Sequence, residues 1–370
     1  MFLLVFFLVY TFMHTMFFLR ARVILPDGRL AYWLSHLFLL LMILAPVASR
    51  VLEKNGHDLT ARISAFIGFY WMGFIFLAFV GAFLMNVFDL FSRIMNYAFR
   101  FNIPLLSGKL PVIVMTGFVI ALCIYGAIAA RGITTEHIHI VTDKLPAGME
   151  RLRIVQISDV HLGLITRSRR LKIITGKVKS LSPDILVCTG DLVDGRIDHI
   201  PELSELLNQV RPRYGKYAVT GNHEYYAGID YSLEFMKQSG FIVLRGETKV
   251  IQGIINIAGF DDPSIYRSFH EKHILSFADN DLFTLLLRHQ PIVPEETLGL
   301  FDLQLSGHTH GGQIFPFNFI VGIPFPYLRG YYELPKGSGI YTNRGTGTWG
   351  PQIRVLSPPE ITVVEVINSQ

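Results

Sequence analysis

The chain has 370 residues, is 51% hydrophobic and has a mean hydropathy of +0.39, too apolar for an ordinary water-soluble protein. Its formal charge of +4 originates in residues 1–130, which carry nine Lys/Arg against four Asp/Glu, while residues 131–370 carry 24 against 25. That near-neutral second part lacks the basic footprint of a nucleic-acid binder, so no nucleic-acid partner is expected, and it is long enough to bury a sizeable core.

Four apolar runs fill the first part, at about 2–19, 31–49, 63–88 and 110–130. Each is near or above the ~20 residues a helix needs to cross a bilayer, and none carries a charge in its interior. Arg20, Arg22, Arg50, Arg62, Arg93 and Arg131 mark many of the ends. Residues 1–132 are therefore expected to form about four transmembrane helices, with the lipid bilayer as partner. The first run opens without a basic stretch, so it reads as an anchor rather than a cleaved leader. His14 and His36 find no charged partner in these runs and are expected to hydrogen-bond between helices or at the interface. Basic residues divide six to five between the two sides, so the positive-inside rule favours neither orientation. The stretch FSRIMNYAFRFNIPLLSGK (91–109) reads either as a helix lying in the interface plane or as a connecting loop.

From about residue 133 the pattern changes to short apolar strands punctuated by Gly, Asp and His. RLRIVQISD (151–159), DILVCTGD (184–191) and YGKYAVTGN (214–222) read as strands, the latter two preceded by helix-like stretches at 168–181 and 199–210. IINIAGFDD, FTLLLRHQP and LQLSGHTH follow. Strands alternating with helices predict an α/β layered sheet over residues 133–370. The two cysteines, Cys123 in an apolar run and Cys188 in a strand, are not expected to pair.

Each strand ends in residues of metal-ligand type. Asp159 and His161 follow IVQIS, Asp191 follows ILVCTG, and Asn222 with His223 follows YAVTG. His289 follows TLLLR, and His308 with His310 follows LQLSG. Open α/β sheets gather their ligand sites beyond the carboxyl ends of the strands, so these residues are predicted to converge. Imidazole, carboxylate and amide oxygen suit Zn, Fe or Mn, and the lack of thiolate speaks against a structural zinc site. On an extended segment the two histidines of H-x-H point to opposite faces and can serve two ions.

The blocks SDVHLG, TGDLVDG, TGNHEYY, LRHQP and SGHTHGGQ, in this order over residues 150–315, resemble the calcineurin-like metallophosphoesterase superfamily. RIVQISDVHLG and TNRGTG resemble a narrower membrane-anchored branch that includes UDP-2,3-diacylglucosamine hydrolases of the YaeI/LpxG type. The resemblance implies a layered β-sandwich flanked by helices and two divalent ions (Mn, Zn or Fe) sharing Asp191 as a bridge. Asp159, His161 and His310 would complete one site, and Asn222, His289 and His308 the other. Two ions so held clamp a phosphate and activate a bridging water as nucleophile. His223 would contact the phosphate or protonate the leaving group.

Arg344, in NRGTG, is a candidate for binding a substrate phosphate or, equally, for a structural role. Glu224 is expected either to orient a neighbour or to form a salt bridge. His137 and His139 read as one face of a strand, and His270 and His273 as solvated residues of a polar helix. The segment IFPFNFIVGIPFPYLRGYY (314–332) follows the histidine pair directly, so part of it should border the site. An apolar edge there suits an acyl chain or the bilayer, and packing under a loop is the plain alternative. The expected activity is hydrolysis of a phosphoester or pyrophosphate on a lipid-linked substrate such as UDP-2,3-diacylglucosamine. The alternatives are a phosphomonoesterase or nucleotide phosphodiesterase with a soluble substrate, and a metal-binding membrane sensor without turnover. The branch resemblance and the lack of any Asn-x-Ser/Thr site fit a bacterial inner membrane.

Overall fold

A computed structural model describes residues 2–195, 200–263 and 270–369. The chain divides into two compact units, Met1–Ile128 with Gly350–Ile353, and Ala129–Trp349 with Arg354–Gln370.

The first unit holds helices α1 (Phe2–Ala21), α2 (Arg29–Lys54), α3 (Asp58–Phe99) and α4 (Lys109–Ala129). All four are long and apolar enough to cross a membrane. Small residues let α2 and α3 approach closely: a methyl group on Gly68 would fall 2.9 Å from the Ala45 Cβ. The third helix is longer than its apolar run. It has 42 residues, roughly 63 Å at 1.5 Å per residue, about twice the hydrocarbon thickness. The first part of 91–109 therefore continues α3, which ends at Arg100 in the left-handed conformation (φ 56°). This settles the choice left open by the sequence for that part, since it is neither a separate interfacial helix nor a loop.

The helix runs on past residue 88, where the next charge after Arg62 is neutralised. Asp89 is buried and pairs with Arg20 of α1 at 2.7 Å. Arg20 also donates to Asn86 Oδ1 and to the Leu106 carbonyl, and the Leu106 amide donates to Asp89. His14 accepts from Trp71 Nε1 at 2.9 Å and donates through Nδ1 to the Tyr10 carbonyl, an interhelical bond of the expected kind. His36 bonds within its own helix, to Tyr32 O. Neither cysteine is in a disulfide.

The second unit runs β1 (Thr134–Thr142), β2 (Arg151–Ile157), α5 (Ser168–Ser180), β3 (Ile185–Thr189), α6 (Ile200–Asn208), β4 (Lys216–Val219), α7 (Asn222–Ala227), α8 (Ile229–Gln238), β5 (Ile242–Val243), β6 (Glu247–Ile251), β7 (Ile255–Gly259), α9 (Glu271–Leu275), β8 (Thr284–Leu287), β9 (Leu303–Ser306), α10 (Asn318–Val321), β10 (Gly330–Glu333), β11 (Gly339–Thr342) and β12 (Glu360–Asn368). The helix expected over 199–210 is α6; its first expected residue, 199, lies outside the described residues.

Two six-stranded sheets form, in the orders β1-β12-β2-β3-β4-β5 and β10-β11-β9-β8-β7-β6. Their central strands pair in parallel, which requires cover on both faces. Alternation along each strand provides it. Leu152 and Ile154 of β2 join Ile257, Leu285 and Leu305 in the core between the sheets. Val155 and Ile157 point the other way, into a core closed by Leu171 and Ile174 of α5, Leu207 of α6 and Phe235 of α8. A third core covers the far side of the second sheet, with Leu286, Ile340 and Leu275. The result is a β-sandwich with helices outside it. Truncating one of these fully buried side chains, Leu285→Ala for example, costs about 2–5 kcal/mol.

His137 and His139 are exposed on β1, whose other face packs Ile138 and Ile140 on the inter-sheet core. His270 precedes α9 and His273 lies within it.

Candidate metal centre

Parallel register brings the strand ends level. Ile157 pairs with Cys188, Thr189 with Val219, and Leu287 with Leu305. Asp159, Asp191, Asn222, His289 and His308 each follow a strand end by two or three residues. They therefore gather at one edge of the sandwich, as the strand-end rule predicts.

Ligand atoms of Asp159, His161 and His310 lie within 4.8 Å of one another, and so do those of Asp191, His289 and His308. His161 Nε2 is 3.1 Å from His310 Nε2, which is 3.5 Å from Asp159 Oδ1. His289 Nε2 is 3.1 Å from His308 Nδ1 and 3.2 Å from Asp191 Oδ2, and that same oxygen is 3.9 Å from His161 Nε2. Asp191 thus stands between the two groups. Bonds of about 2.1 Å to a divalent ion place neighbouring ligand atoms roughly 3.0–3.4 Å apart. The spacings fit such shells. Asn222 Oδ1 fits as well, since it is buried with no hydrogen-bond donor among the described residues.

The backbone is bent to reach this arrangement. Asp159, His161, Asp191, His308 and His310 all have φ between 50° and 70°. That left-handed region is uncommon for residues with a side chain and is concentrated at functional sites. The extended geometry expected for H-x-H is therefore absent. Strand β9 stops at Ser306, and His308 and His310 diverge because the turn after it is tightly wound. Two motif glycines make the close approach possible. A methyl group on Gly221 would fall 2.1 Å from Asp191 Oδ1, and one on Gly307 would fall 2.2 Å from Asp159 Oδ2.

Polar contacts fix these side chains in turn. Asp159 accepts from the Ser158 hydroxyl and from the His308 amide. His289 Nδ1 donates to the Thr189 carbonyl at 2.8 Å, which turns Nε2 toward Asp191. Glu224, fully buried, accepts from the amides of Asp191, Val193 and Gly221, so it orients neighbours rather than forming a salt bridge. Burial and the nearby Asp191 raise its carboxyl to about 7.

Burial works against the Asp191 carboxylate, yet His289, His223 and His161 hold it well below the usual range. Burial and then His289 push His308 down to about 4, and burial with Arg354 holds His310 well below the ordinary histidine value. Both are thus neutral near pH 7, the form in which imidazole binds metal, whereas against the effect of burial Asp191 raises His289 well above the ordinary histidine value, so that ring must give up a proton to bind an ion. His223 is raised too. Burial opposes its charge, but Asp191 and a bond to Asp194 raise it to about 9.

Asp194 lies in the TGDLVDG block, where nothing in the local sequence distinguishes it. Its Oδ1 is 2.6 Å from His223 Nδ1 and 3.6 Å from His161 Nδ1. Aromatic rings also rim the site, Tyr226 and Trp349 exposed and Phe325 half-buried. Tyr226 and Trp349 stand edge-on to His223 at centroid distances of 5.3 and 5.7 Å. Phe325, from the Phe-rich segment, stands edge-on to His308 at 4.9 Å. Arg344 is committed elsewhere: its Nε donates to Glu360 and its Nη2 to Glu136 and Thr134. These partners lie on β1 and β12, so the contacts tie those strands to the loop after β11.

The model of the calcineurin-like phosphoesterase family matches residues 152–312. The chain is 40% identical over 248 residues to an uncharacterized metallophosphoesterase of Aquifex aeolicus, covering 65% of this chain and 95% of that one. It is 33% identical over 263 residues to an uncharacterized metallophosphoesterase of Campylobacter jejuni, covering 70% and 69%. It is 30% identical over 319 residues to a transmembrane protein with metallophosphoesterase domain from Danio rerio, covering 79% and 73%. The chain belongs to the calcineurin-like metallophosphoesterases. It is a metal-dependent phosphoesterase, and with its four long apolar helices a multi-pass membrane protein. That membership displaces the reading as a sensor without turnover.

Proposed function

We propose that residues 1–132 anchor this phosphoesterase in a bilayer and residues 133–370 hydrolyse a phosphodiester or pyrophosphate of a lipid-linked substrate. Asp159, His161 and His310 would hold one divalent ion and Asn222, His289 and His308 a second, with Asp191 shared. Bound there, Mn, Zn or Fe ions supply charge to clamp the phosphate and an activated water as nucleophile. The chain's residues do the rest. Asp191 and Asp159 balance part of the positive charge, while the neutral Asn222 leaves more of it for the phosphate. His223, held protonated by Asp194, donates its proton to the departing oxygen.

One observation favours the lipid-linked substrate. Phe325 rests on His308, and the same segment exposes Phe317, Phe319, Ile320 and Ile323, the last 81% exposed. A run of exposed apolar side chains beside a phosphate site suits acyl chains. UDP-2,3-diacylglucosamine is the finest form of this proposal and rests on the branch resemblance, as does a bacterial inner membrane as location. A second reading, a nucleotide phosphodiesterase with a soluble substrate, is favoured by Tyr226 and Trp349. Their exposed rings beside His223 offer faces to a nucleobase.

The deciding experiment uses the full chain in detergent, stripped of metal and reloaded with Mn, Zn or Fe. Bis-p-nitrophenyl phosphate, a lipid-linked UDP substrate and a nucleotide diester are compared. Preferred turnover of the lipid substrate, lost in Phe319→Ser/Ile323→Ser, supports the proposal. Equal loss on all substrates, or preference for the nucleotide diester, overturns the lipid assignment.

A further inference from the structure

The block GHTHGGQ ends in Gln313, which holds no ion in the reading above. Its main chain belongs to the turn that carries His308 and His310. The Gln313 amide donates to the His310 carbonyl at 2.9 Å, its carbonyl accepts from the Val355 amide at 3.0 Å, and its φ is 50°. Its side chain reaches Trp349. Nε2 donates to the Trp349 carbonyl at 2.9 Å, and Oε1 accepts from the Trp349 amide at 3.1 Å. Both ends of one carboxamide thus engage the main chain of a single residue, as a residue of a neighbouring strand would with its own N–H and C=O.

Trp349 depends on such a holder. It lies between Thr342, the end of β11, and Glu360, the start of β12, in a stretch without a helix or strand of its own. It is 49% exposed, so packing fixes it only in part. Its ring nevertheless has a definite place, edge-on to His223, with Tyr226 edge-on to the same histidine. An exposed indole offers a π face on which any nucleobase can stack. His223 is the residue read as donating a proton to the departing oxygen, so a base lying on Trp349 would sit next to the bond that breaks.

We propose that Gln313 is a positioning residue for Trp349, and that Trp349 so held is the platform for the base of a nucleotide-bearing substrate. This rests on the reading above as a hydrolase of a phosphodiester or pyrophosphate, and names the residue that ties substrate choice to the ligand turn. The test uses the full chain in detergent, loaded with manganese, with bis-p-nitrophenyl phosphate as the reporter ester. Uridine 5′-monophosphate and ribose 5-phosphate are compared as competitive inhibitors, and their dissociation constants are measured directly by equilibrium dialysis. Both present a phosphate on a ribose, and only the first carries a base. In wild type the nucleotide should bind about 5–100-fold more tightly. Trp349→Ala should remove most of that preference, and Gln313→Ala should reduce it about 2–10-fold. Gln313→Ala added to Trp349→Ala should reduce it no further, because the glutamine acts through the indole.

Equal binding of the two compounds by wild type overturns the platform, as does a preference that survives Trp349→Ala. An unchanged preference in Gln313→Ala, equal weakening of both compounds, or a further loss in the double variant overturns the positioning role. Should Gln313→Ala fail to fold, Gln313→Glu decides on the same ratio. It keeps the length and the acceptor but sets a carboxylate against the Trp349 carbonyl, so the preference should fall, and an unchanged one overturns the role. A lipid-linked UDP that competes more tightly than the free nucleotide assigns the base to a lipid-linked substrate and the reverse to a soluble one, and either supports the platform. A wild type without metal-dependent hydrolysis of any diester overturns the reading above itself, which separates that failure from this one.

Discussion

Asp194 Oδ1 lies 2.6 Å from Nδ1 of His223, while the His223 amide donates to Asp191. The ring is thus oriented by one carboxylate and its backbone by another. For a proton donor the leaving group decides how much this matters. Asp194→Asn should lower kcat for an alkyl phosphodiester by about 10²–10⁴. It should lower kcat for a p-nitrophenyl ester far less, because that leaving group departs without a proton. Metals per chain should stay unchanged. Steady-state kinetics on both esters check this, and equal losses on the two would rule out proton donation by His223.

Glu224 takes three backbone amides that bracket the Asp191 and Asn222 turns. Glu224→Ala orphans all three, at about 1–3 kcal/mol each. The metal-free protein should therefore melt well below wild type, with Glu224→Gln in between. Thermal unfolding by circular dichroism in detergent measures it. An unchanged melting temperature would mean water replaces the carboxylate at no cost.

Arg20 and Asp89 stand together inside the helical unit. Asp89→Ala leaves a buried guanidinium uncompensated and should cost about 3–5 kcal/mol. Arg20→Met/Asp89→Leu should recover most of that loss. A double-mutant cycle on unfolding in detergent gives the coupling, and simple additivity of the two changes would deny it.

Lys216 is buried and donates to the carbonyls of Leu207 and Ser239. Burial, helped by Arg211, lowers its ammonium from 10.5 to about 8. Between those values the unfolded chain holds the extra proton, so this group makes stability rise with pH from about 8 to about 10.5. The gain is lost as pH falls through about 8. Urea midpoints across that range should show a rising component in wild type that Lys216→Met lacks. An identical slope in the variant would assign the effect elsewhere.

The sequence makes some of this legible because ligand residues directly follow apolar strands. Asp159, Asp191, Asn222, His289 and His308 can be placed from the strand pattern alone. What it hides depends on partners distant in the chain. Asp89 looks like the end of a span until Arg20, 69 positions before it, neutralises it. Arg344 reads equally as a phosphate ligand or a structural residue, and its contacts to Glu136 on β1 and Glu360 on β12 are not visible in its local sequence. His308 and His310 look extended because left-handed backbone leaves no mark on residue types other than glycine. Arg354 sits in PQIRVLSPPE, where nothing local announces a guanidinium folded wholly inside.

The pairing of β1 with β12 bears on how the protein is made. Thr134, just beyond the last apolar helix, donates to Pro359, 225 positions on. During synthesis β1 leaves the ribosome first among the strands and waits for a neighbour that emerges after all the others. Until then β2 lacks its antiparallel partner as well, and the backbone N–H and C=O groups of that edge stay unpaired beside the growing chain. A ribosome stalled before residue 360 would leave a nascent protein tethered to the bilayer with an unfinished sheet, a natural substrate for chaperones and membrane proteases.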